Sequence, residues 1–173
     1  NGPDAVGTAT SGGTESVLLA VLAARDSRPD LETWSMVLPT TAHAAFHKAA
    51  HYFGVRTISV AVGDDFRADP AAMAAAIEPD TVLLVASAPS YAHGVIDPVT
   101  EIAAVASQRG IRCHVDACIG GWVLPFLGED VTPWDFRVPG VTSISADIHK
   151  YGYTFKGAST VLYKSRELLQ HQF

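Results

Sequence analysis

The sequence predicts an α/β fold, a three-layer and mostly parallel sheet with helices on both faces. Three observations predict it. Strand-like and helix-like stretches alternate along most of the 173 residues with short joints between them, which is the rhythm of linked βαβ units. Residues 81–86 form a continuous apolar run, the pattern of a strand covered on both faces. A β-patterned run from Ser143 stops being apolar at Asp147, His149 and Lys150, so titratable side chains collect at a strand's carboxyl end, where open α/β sheets bind ligands.

Residues 8–16 read Thr-Ala-Thr-Ser-Gly-Gly-Thr-Glu-Ser and pass at once into Val17, Leu18, Leu19, Val21 and Leu22 at helical spacing. A glycine-rich turn therefore feeds a helix, and two readings stand. One is an ordinary helix capped by Thr14. The other is an anion site, built from free N–H groups and the positive dipole end, with Gly12 and Gly13 admitting an oxygen-bearing ligand and Thr14 and Ser16 adding hydroxyls. The run is neither Gly-x-Gly-x-x-Gly nor a P-loop, so neither a dinucleotide nor a nucleoside triphosphate is indicated.

Residues 35–38 read as a strand, and Pro39-Thr40-Thr41 leads into a helix over 42–53, with His43 at its start and His47 and His51 as surface positions. Residues 56–62 are strand-like, Asp69-Pro70 opens an alanine-rich helix to about Ile77, and the apolar strand follows. The loop 87–98 then stands where a pocket would be lined. Ser87, Tyr91 and His93 are its candidates for ligand contact, beside an ordinary loop role. Asp97 is expected to cap a helix over 98–108.

Residues 111–115 form the next strand, which ends on Asp116, either a turn cap or a site carboxylate. Gly120 and Gly121 read as positions of close chain packing. A looser, proline-dotted stretch over 131–139 precedes the strand that delivers Lys150. There a lysine is either a solvated loop residue or a nucleophile whose ammonium is easier to deprotonate through burial and cationic neighbours, able to form a Schiff base with a carbonyl. Residues 159–163 are a further strand, and 164–173 begin a helix.

Composition bounds the function. With 48% hydrophobic and 17% charged residues the chain reads as one soluble globular domain with a core of its own. A net charge of −6 without a basic, aromatic-interleaved patch argues against a nucleic-acid partner. Cys113 and Cys118, with no third cysteine, support neither a zinc pattern nor a disulfide framework, and reduced thiols fit a cytoplasmic protein. No apolar run reaches the roughly 18 residues of a membrane span, and no signal-peptide pattern opens the chain. The missing initiator Met and the helical pattern still running at Phe173 lead to the expectation that residues 1–173 are the central part of a longer protein.

Asp147-Ile-His-Lys150 followed by Tyr-Gly-Tyr and Lys156, Ser-Gly-Gly-Thr-Glu-Ser over 11–16, His43-x-x-x-x-Lys-Ala, Gly94-x-x-Asp-Pro and His114-Val-Asp-Ala-x-x-Gly-Gly come in one order. Together they resemble the pyridoxal 5'-phosphate (PLP) enzymes of fold type I, in their group II decarboxylase branch. Within that branch Cys118 and the continuation past Lys150 look most like the sphingosine-1-phosphate lyase family. The resemblance covers nearly the whole chain. It implies the PLP-binding large domain of the aspartate aminotransferase-like fold, with an N-terminal segment and a C-terminal small domain outside these residues, and a homodimer.

For the site, the resemblance implies that Lys150 carries PLP, that Gly13, Thr14 and His149 hold its phosphate, and that Asp116 pairs with its pyridine nitrogen. It implies that His43 stacks on the ring, that Cys118 packs near the opposite face and that Ser87 approaches the cofactor. Lys150, Asp116 and His43 are thus the expected catalytic set, and no metal is implied. Lys156, six residues past Lys150, is expected to meet an anionic group of the substrate, with Tyr91 and His93 as further substrate contacts. The implied substrate is a small amphiphilic phosphorylated amine, a sphingoid base cleaved by retro-aldol chemistry into a long-chain aldehyde and phosphoethanolamine. An L-amino-acid decarboxylase with the same Lys150, Asp116 and His43 is the alternative, and a non-catalytic PLP-fold module is the alternative of another class. The cytoplasm is the expected location, with membrane association possible only through segments outside these residues.

Overall fold

The computed structural model describes residues 2–128 and 131–173. Its elements run β1 (Val6–Thr10), α1 (Gly13–Asp26), β2 (Trp34–Pro39), α2 (Ala45–Phe53), β3 (Val55–Val60), α3 (Pro70–Ala75), β4 (Thr81–Ser87), α4 (Val99–Gln108), β5 (Arg112–Asp116), β6 (Ser143–Ala146), β7 (Ser159–Tyr163) and α5 (Arg166–Leu169). All seven strands join one sheet in the order β1-β7-β6-β5-β4-β2-β3. From β6 to β3 the pairings are parallel, while β7 runs antiparallel to both β6 and β1.

Alternation within the central strands makes the three layers. On β2, Met36 and Leu38 pack toward α1 and α2, against Val17, Val21, Phe46 and Ala49, and so do Leu83 and Val85 of β4. Their neighbours Val37, Leu84 and Ala86 face the other way, onto Met73 of α3 and Ile102, Ala103 and Ala106 of α4. Each fully buried Leu, Val, Met or Phe stabilises the fold by about 1.5–3 kcal/mol of transfer free energy. This is why β4 needs an unbroken apolar run rather than an alternating one.

Local signals set several boundaries. Asp69 accepts hydrogen bonds from Ala71 and Ala72 N–H with Pro70 in the first turn, opening α3 as anticipated. Gly54, at φ 67°, closes α2 in the left-handed region. Helix α2 begins at Ala45 rather than 42, because residues 40–42 form a turn in which Ala42 N–H reaches Pro39 C=O. Strand β1 lies within and ahead of the stretch read as a turn. Its weakly apolar Val-Gly-Thr-Ala-Thr pattern becomes a strand only through pairing with β7, where a Cβ on Gly7 would stand 2.6 Å from Leu162. The last ten residues hold only the short α5 and a 3-10 turn, Gln170–Gln172; Leu168 and Leu169 pack on Ala20 and Ala23 of α1. No helix among the described residues is long and apolar enough to cross a membrane.

Candidate active site

Parallel pairing brings three strand ends together. Ser87 of β4 lies beside Asp116 of β5, and Asp116 beside Ser145 of β6. A cleft of about 350 Å³ opens over this edge, lined by Gly12, Gly13 and Thr14 of the α1 turn, by His43, Ser87 and Tyr91, and by Asp116, Cys118, Asp147, His149 and Lys150. Of the residues the sequence singled out, His93 and Lys156 are not in its wall. His93 stacks on Phe66 at 4.2 Å between ring centroids, and Lys156 is exposed on the loop that follows Lys150.

The α1 end of the cleft is an anion cradle. Gly12 is the residue before the helix, and a Cβ there would meet only His149 Cε1, at 4.0 Å, so the approach to the first-turn N–H groups is open. Gly13 is glycine for another reason: a Cβ would come within 2.7 Å of Cys118 Sγ and 2.8 Å of Asp147 Oδ1. Thr14 is the second residue of the helix, not its cap. Ser16, expected to offer its hydroxyl to a ligand, is instead fully buried between Thr10 Oγ1 at 2.7 Å and Ser159 Oγ at 3.0 Å. Glu15 accepts both the N–H and the hydroxyl of Ser11, which holds its carboxyl below the usual range.

His43 precedes α2, and its Nδ1 accepts Ala45 N–H at 3.1 Å. Nδ1 is thus the unprotonated nitrogen, and the ring plane is fixed by the helix start. Tyr91 meets it edge-on at 5.0 Å. His47 and His51 are exposed. Asp97, expected to cap α4, is buried and spans two other segments, taking Ala68 N–H at 2.9 Å and Ser87 N–H at 2.8 Å. Helix α4 starts without a side-chain cap. Two buried N–H donors compete more strongly for a carboxylate than a helix end open to water.

Asp116 Oδ1 accepts Cys118 N–H at 3.1 Å and the Ser145 hydroxyl at 3.3 Å. Behind them His114 is fully buried, with Nδ1 2.9 Å from Ser143 Oγ and Nε2 3.1 Å from Ser145 Oγ. Burial pushes the His114 pKa down to about 4, against the pull of Asp116. Burial and the nearby carboxylates of Asp116 and Asp147 push the Cys118 thiol well up, so it is a packing thiol rather than a thiolate. Gly120 and Gly121 are packing positions, a Cβ at the first being excluded by Ala88 C=O and at the second by Ala146 Cβ at 2.6 Å.

Lys150 differs from the expectation in its electrostatics. Its Nζ lies 2.7 Å from Asp147 Oδ2, with the lysine side chain 38% exposed. Burial alone would lower its pKa, but the hydrogen bond to Asp147 and the surrounding negative charge outweigh it and the net direction is upward. The neighbours are carboxylates, not cations, so the free amine is held as an ammonium. Asp147 is the site residue to which sequence reasoning gave no role. The signal was present in its i, i+3 spacing from Lys150. His149 donates Nδ1–H to Ala158 C=O at 2.8 Å, which leaves Nε2 turned toward Asp147 at 3.7 Å. Among the described residues no group of His, Cys, Asp or Glu is placed to hold a metal ion.

An open helix start, an aspartate and a lysine, gathered at the carboxyl edge of a parallel sheet whose far end turns antiparallel, define the class: the three-layer α/β fold of fold type I. The whole chain, residues 1–173, matches the pyridoxal-dependent decarboxylase conserved domain, and the chain belongs to that family. It is 49% identical to sphingosine-1-phosphate lyase 1 of Rattus norvegicus over 99% of this chain and 31% of the rat protein. It superposes on the sphingosine-1-phosphate lyase of Burkholderia pseudomallei with a TM-score of 0.94 and 41% identity, covering 96% of this chain and 40% of that one. On the glutamate decarboxylase of Lactobacillus brevis the TM-score is 0.87 at 26% identity, covering 96% and 41%. The chain thus spans about a third of the length of the curated relatives it matches.

Proposed function

We propose that the protein containing this chain is a PLP-dependent carbon-carbon lyase, which cleaves a phosphorylated sphingoid base of the sphingosine 1-phosphate type into a long-chain aldehyde and phosphoethanolamine. The observation that carries the lyase over the decarboxylase is a contrast of identities. Two solved relatives share the fold almost equally, at TM-scores of 0.94 and 0.87, but the lyase shares 41% of residues and the glutamate decarboxylase 26%.

The cleft fits the cofactor group by group. The first turn of α1, open at Gly12, accepts a phosphate from backbone N–H donors, with Thr14 and His149 beside it. Asp116 presents a carboxylate for a protonated ring nitrogen, His43 supplies a ring fixed by Ala45, and Lys150 supplies the amine. Ser87 and Cys118 close the walls between these groups. Bound there, PLP supplies the electron sink for the bond broken beside the substrate's amine-bearing carbon.

The chain's own residues do the rest. Asp116, held by Cys118 N–H and Ser145, keeps its charge directed at one place. His43 Nδ1 accepts Ala45 N–H, so that nitrogen is not free to take up a proton and the ring is held in one orientation. Lys150, once its amine is free, carries a proton at Nζ and can deliver it to the reacting carbon. Tyr91 shields the His43 side of the cleft. Lys156, exposed on the loop after Lys150, is proposed to meet the substrate phosphate, with Tyr91 of the cleft wall and His93 as further proposed substrate contacts. We further infer a homodimer, supported by Tyr153 and Phe155 standing 87% and 95% exposed on the lysine loop, and a cytoplasmic setting, supported by the free thiols of Cys113 and Cys118.

The test is the complete natural protein with added PLP. A visible absorption band that is lost in Lys150→Ala, aldehyde release from phosphorylated sphingoid bases and no carbon dioxide from amino acids is the expected result. Carbon dioxide release from aromatic or acidic amino acids would replace the lyase with the decarboxylase. With Lys156→Ala the Michaelis constant for phosphorylated substrate rises while the band stays; an unchanged constant removes Lys156 from the site.

A further inference from the structure

Asp147 is held on every side in the wall of the cleft. Its side chain is 3% exposed, and Gly13 packs on it so closely that a Cβ would stand 2.8 and 2.9 Å from its two oxygens. Oδ1 receives the Ser159 hydroxyl at 2.5 Å. Ser159 is met by Ser16 at 3.0 Å and Ser16 by Thr10 at 2.7 Å. Since Ser159 spends its proton on Asp147, Ser16 donates to Ser159 and Thr10 to Ser16. Three hydroxyls from β1, α1 and β7 are thereby aligned toward one carboxylate.

A cation at hydrogen-bond distance stabilises a buried carboxylate beyond what its hydrogen bonds give, and its removal leaves the charge uncompensated. Oδ2 has Lys150 Nζ at 2.7 Å and His149 Nε2 at 3.7 Å. Among the described residues the other titratable groups that interact at this point are Asp116 and the Cys118 thiol, and neither can supply positive charge. His149 is tied through Nδ1 to Ala158 C=O, so Lys150 is the partner that can come and go.

We propose that Asp147 is a positioning residue, a fixed berth that receives the ammonium of Lys150 whenever its amine is not covalently engaged. The alternation between free and engaged amine rests on the reading of Lys150 as the cofactor lysine; the ion pair itself does not. The berth has two consequences. Free Lys150 returns to one place at the cleft wall with its proton in hand. When Lys150 leaves, the carboxylate is left with His149, which favours return of the lysine.

The experiment is done on the cofactor-free form of the complete natural protein, so that loss of activity cannot stand in for the result. Lys150 is pulse-labelled with acetic anhydride across a pH series and quantified by mass spectrometry, with exposed Lys156 as the reference within the same molecule. Asp147→Asn, which keeps the shape and an acceptor for Ser159, should lower the Lys150 labelling midpoint by about one pH unit, a roughly tenfold gain in free amine at a fixed pH below it. The Lys156 midpoint stays where it was. An unmoved Lys150 midpoint overturns the berth, even if the cofactor band of the loaded protein survives. Absence of that band with a shifted midpoint overturns the cofactor reading alone.

A second comparison holds if Asp147→Asn does not fold by itself. Lys150→Met should lower the melting temperature of the cofactor-free protein and Lys150→Arg should recover most of the loss. Adding Asp147→Asn to Lys150→Met should raise the melting temperature again, because it removes an unpaired buried charge. Equal melting temperatures for Lys150→Met and the native sequence overturn the proposal.

Discussion

Ser145 donates its hydroxyl to Asp116 across the β5–β6 pairing, at 3.3 Å, and so fixes the protonation of a residue on the far side. Having given its proton to Asp116, Ser145 can only accept from His114 Nε2 at 3.1 Å. His114 therefore carries its proton on Nε2 and accepts at Nδ1 from Ser143. A chain of three side chains stands behind the site carboxylate, all of them buried.

This chain predicts a pH dependence of stability. The folded pKa of His114, about 4, lies below the unfolded value of about 6.5. As pH falls the unfolded chain binds the proton first, so stability present above about pH 6.5 is lost progressively down to about pH 4. The share from His114 is on the order of 3 kcal/mol. Denaturation midpoints of the cofactor-free protein at pH 7 and pH 5 measure it. His114→Gln, which keeps a donor and an acceptor but does not titrate, should show a smaller drop; equal drops would mean that other groups cause it.

Gly12 and Gly13 are adjacent and should respond oppositely to alanine. At Gly13 the new Cβ collides with Cys118 Sγ and Asp147, and overpacking of this kind costs about 1–3 kcal/mol. At Gly12 the backbone is extended, at φ 163°, and the nearest atom is 4.0 Å away. Gly12→Ala should keep the stability within about 0.5 kcal/mol yet weaken PLP binding, since the methyl group occupies the approach to the helix start. Thermal melting and a PLP titration separate the two. Similar melting losses at both positions would contradict the distinction between a packing glycine and a ligand glycine.

What was legible in the sequence followed from short-range rules. The apolar run of β4, the Asp-Pro start of α3 and the polar break after β6 each depend on a few neighbouring residues, and each marked its element. The same rules placed Asp116 and Lys150 at strand ends. Bonds between distant segments were not legible: Ser16 meets Ser159 across 143 positions, and β1 becomes a strand because β7 pairs with it. Lys150 shows the limit for electrostatics. Its local sequence offers His149 and Asp147 alike, and the fold shows that Lys150 Nζ pairs with Asp147 Oδ2, at 2.7 Å.

Asp97 illustrates the same point and carries the last prediction. Its two oxygens are divided between Ala68 N–H and Ser87 N–H, so one side chain ties the start of the 88–97 loop to the segment before α3. Arg67 adds a bond to Ile96 C=O, and the Phe66–His93 stack lies on the same side. The loop carries Tyr91, which stands against His43. Asp97→Asn keeps one acceptor oxygen and turns an amide toward the other buried N–H, at a cost of about 1–3 kcal/mol for the donor left unsatisfied. Because the carboxylate is a clamp rather than a helix cap, the loss should be local. Hydrogen exchange should quicken at Ala68, Ser87 and the loop to Ile96, with α4 following only at the global unfolding rate. If α4 opens first instead, Asp97 supports the helix after all.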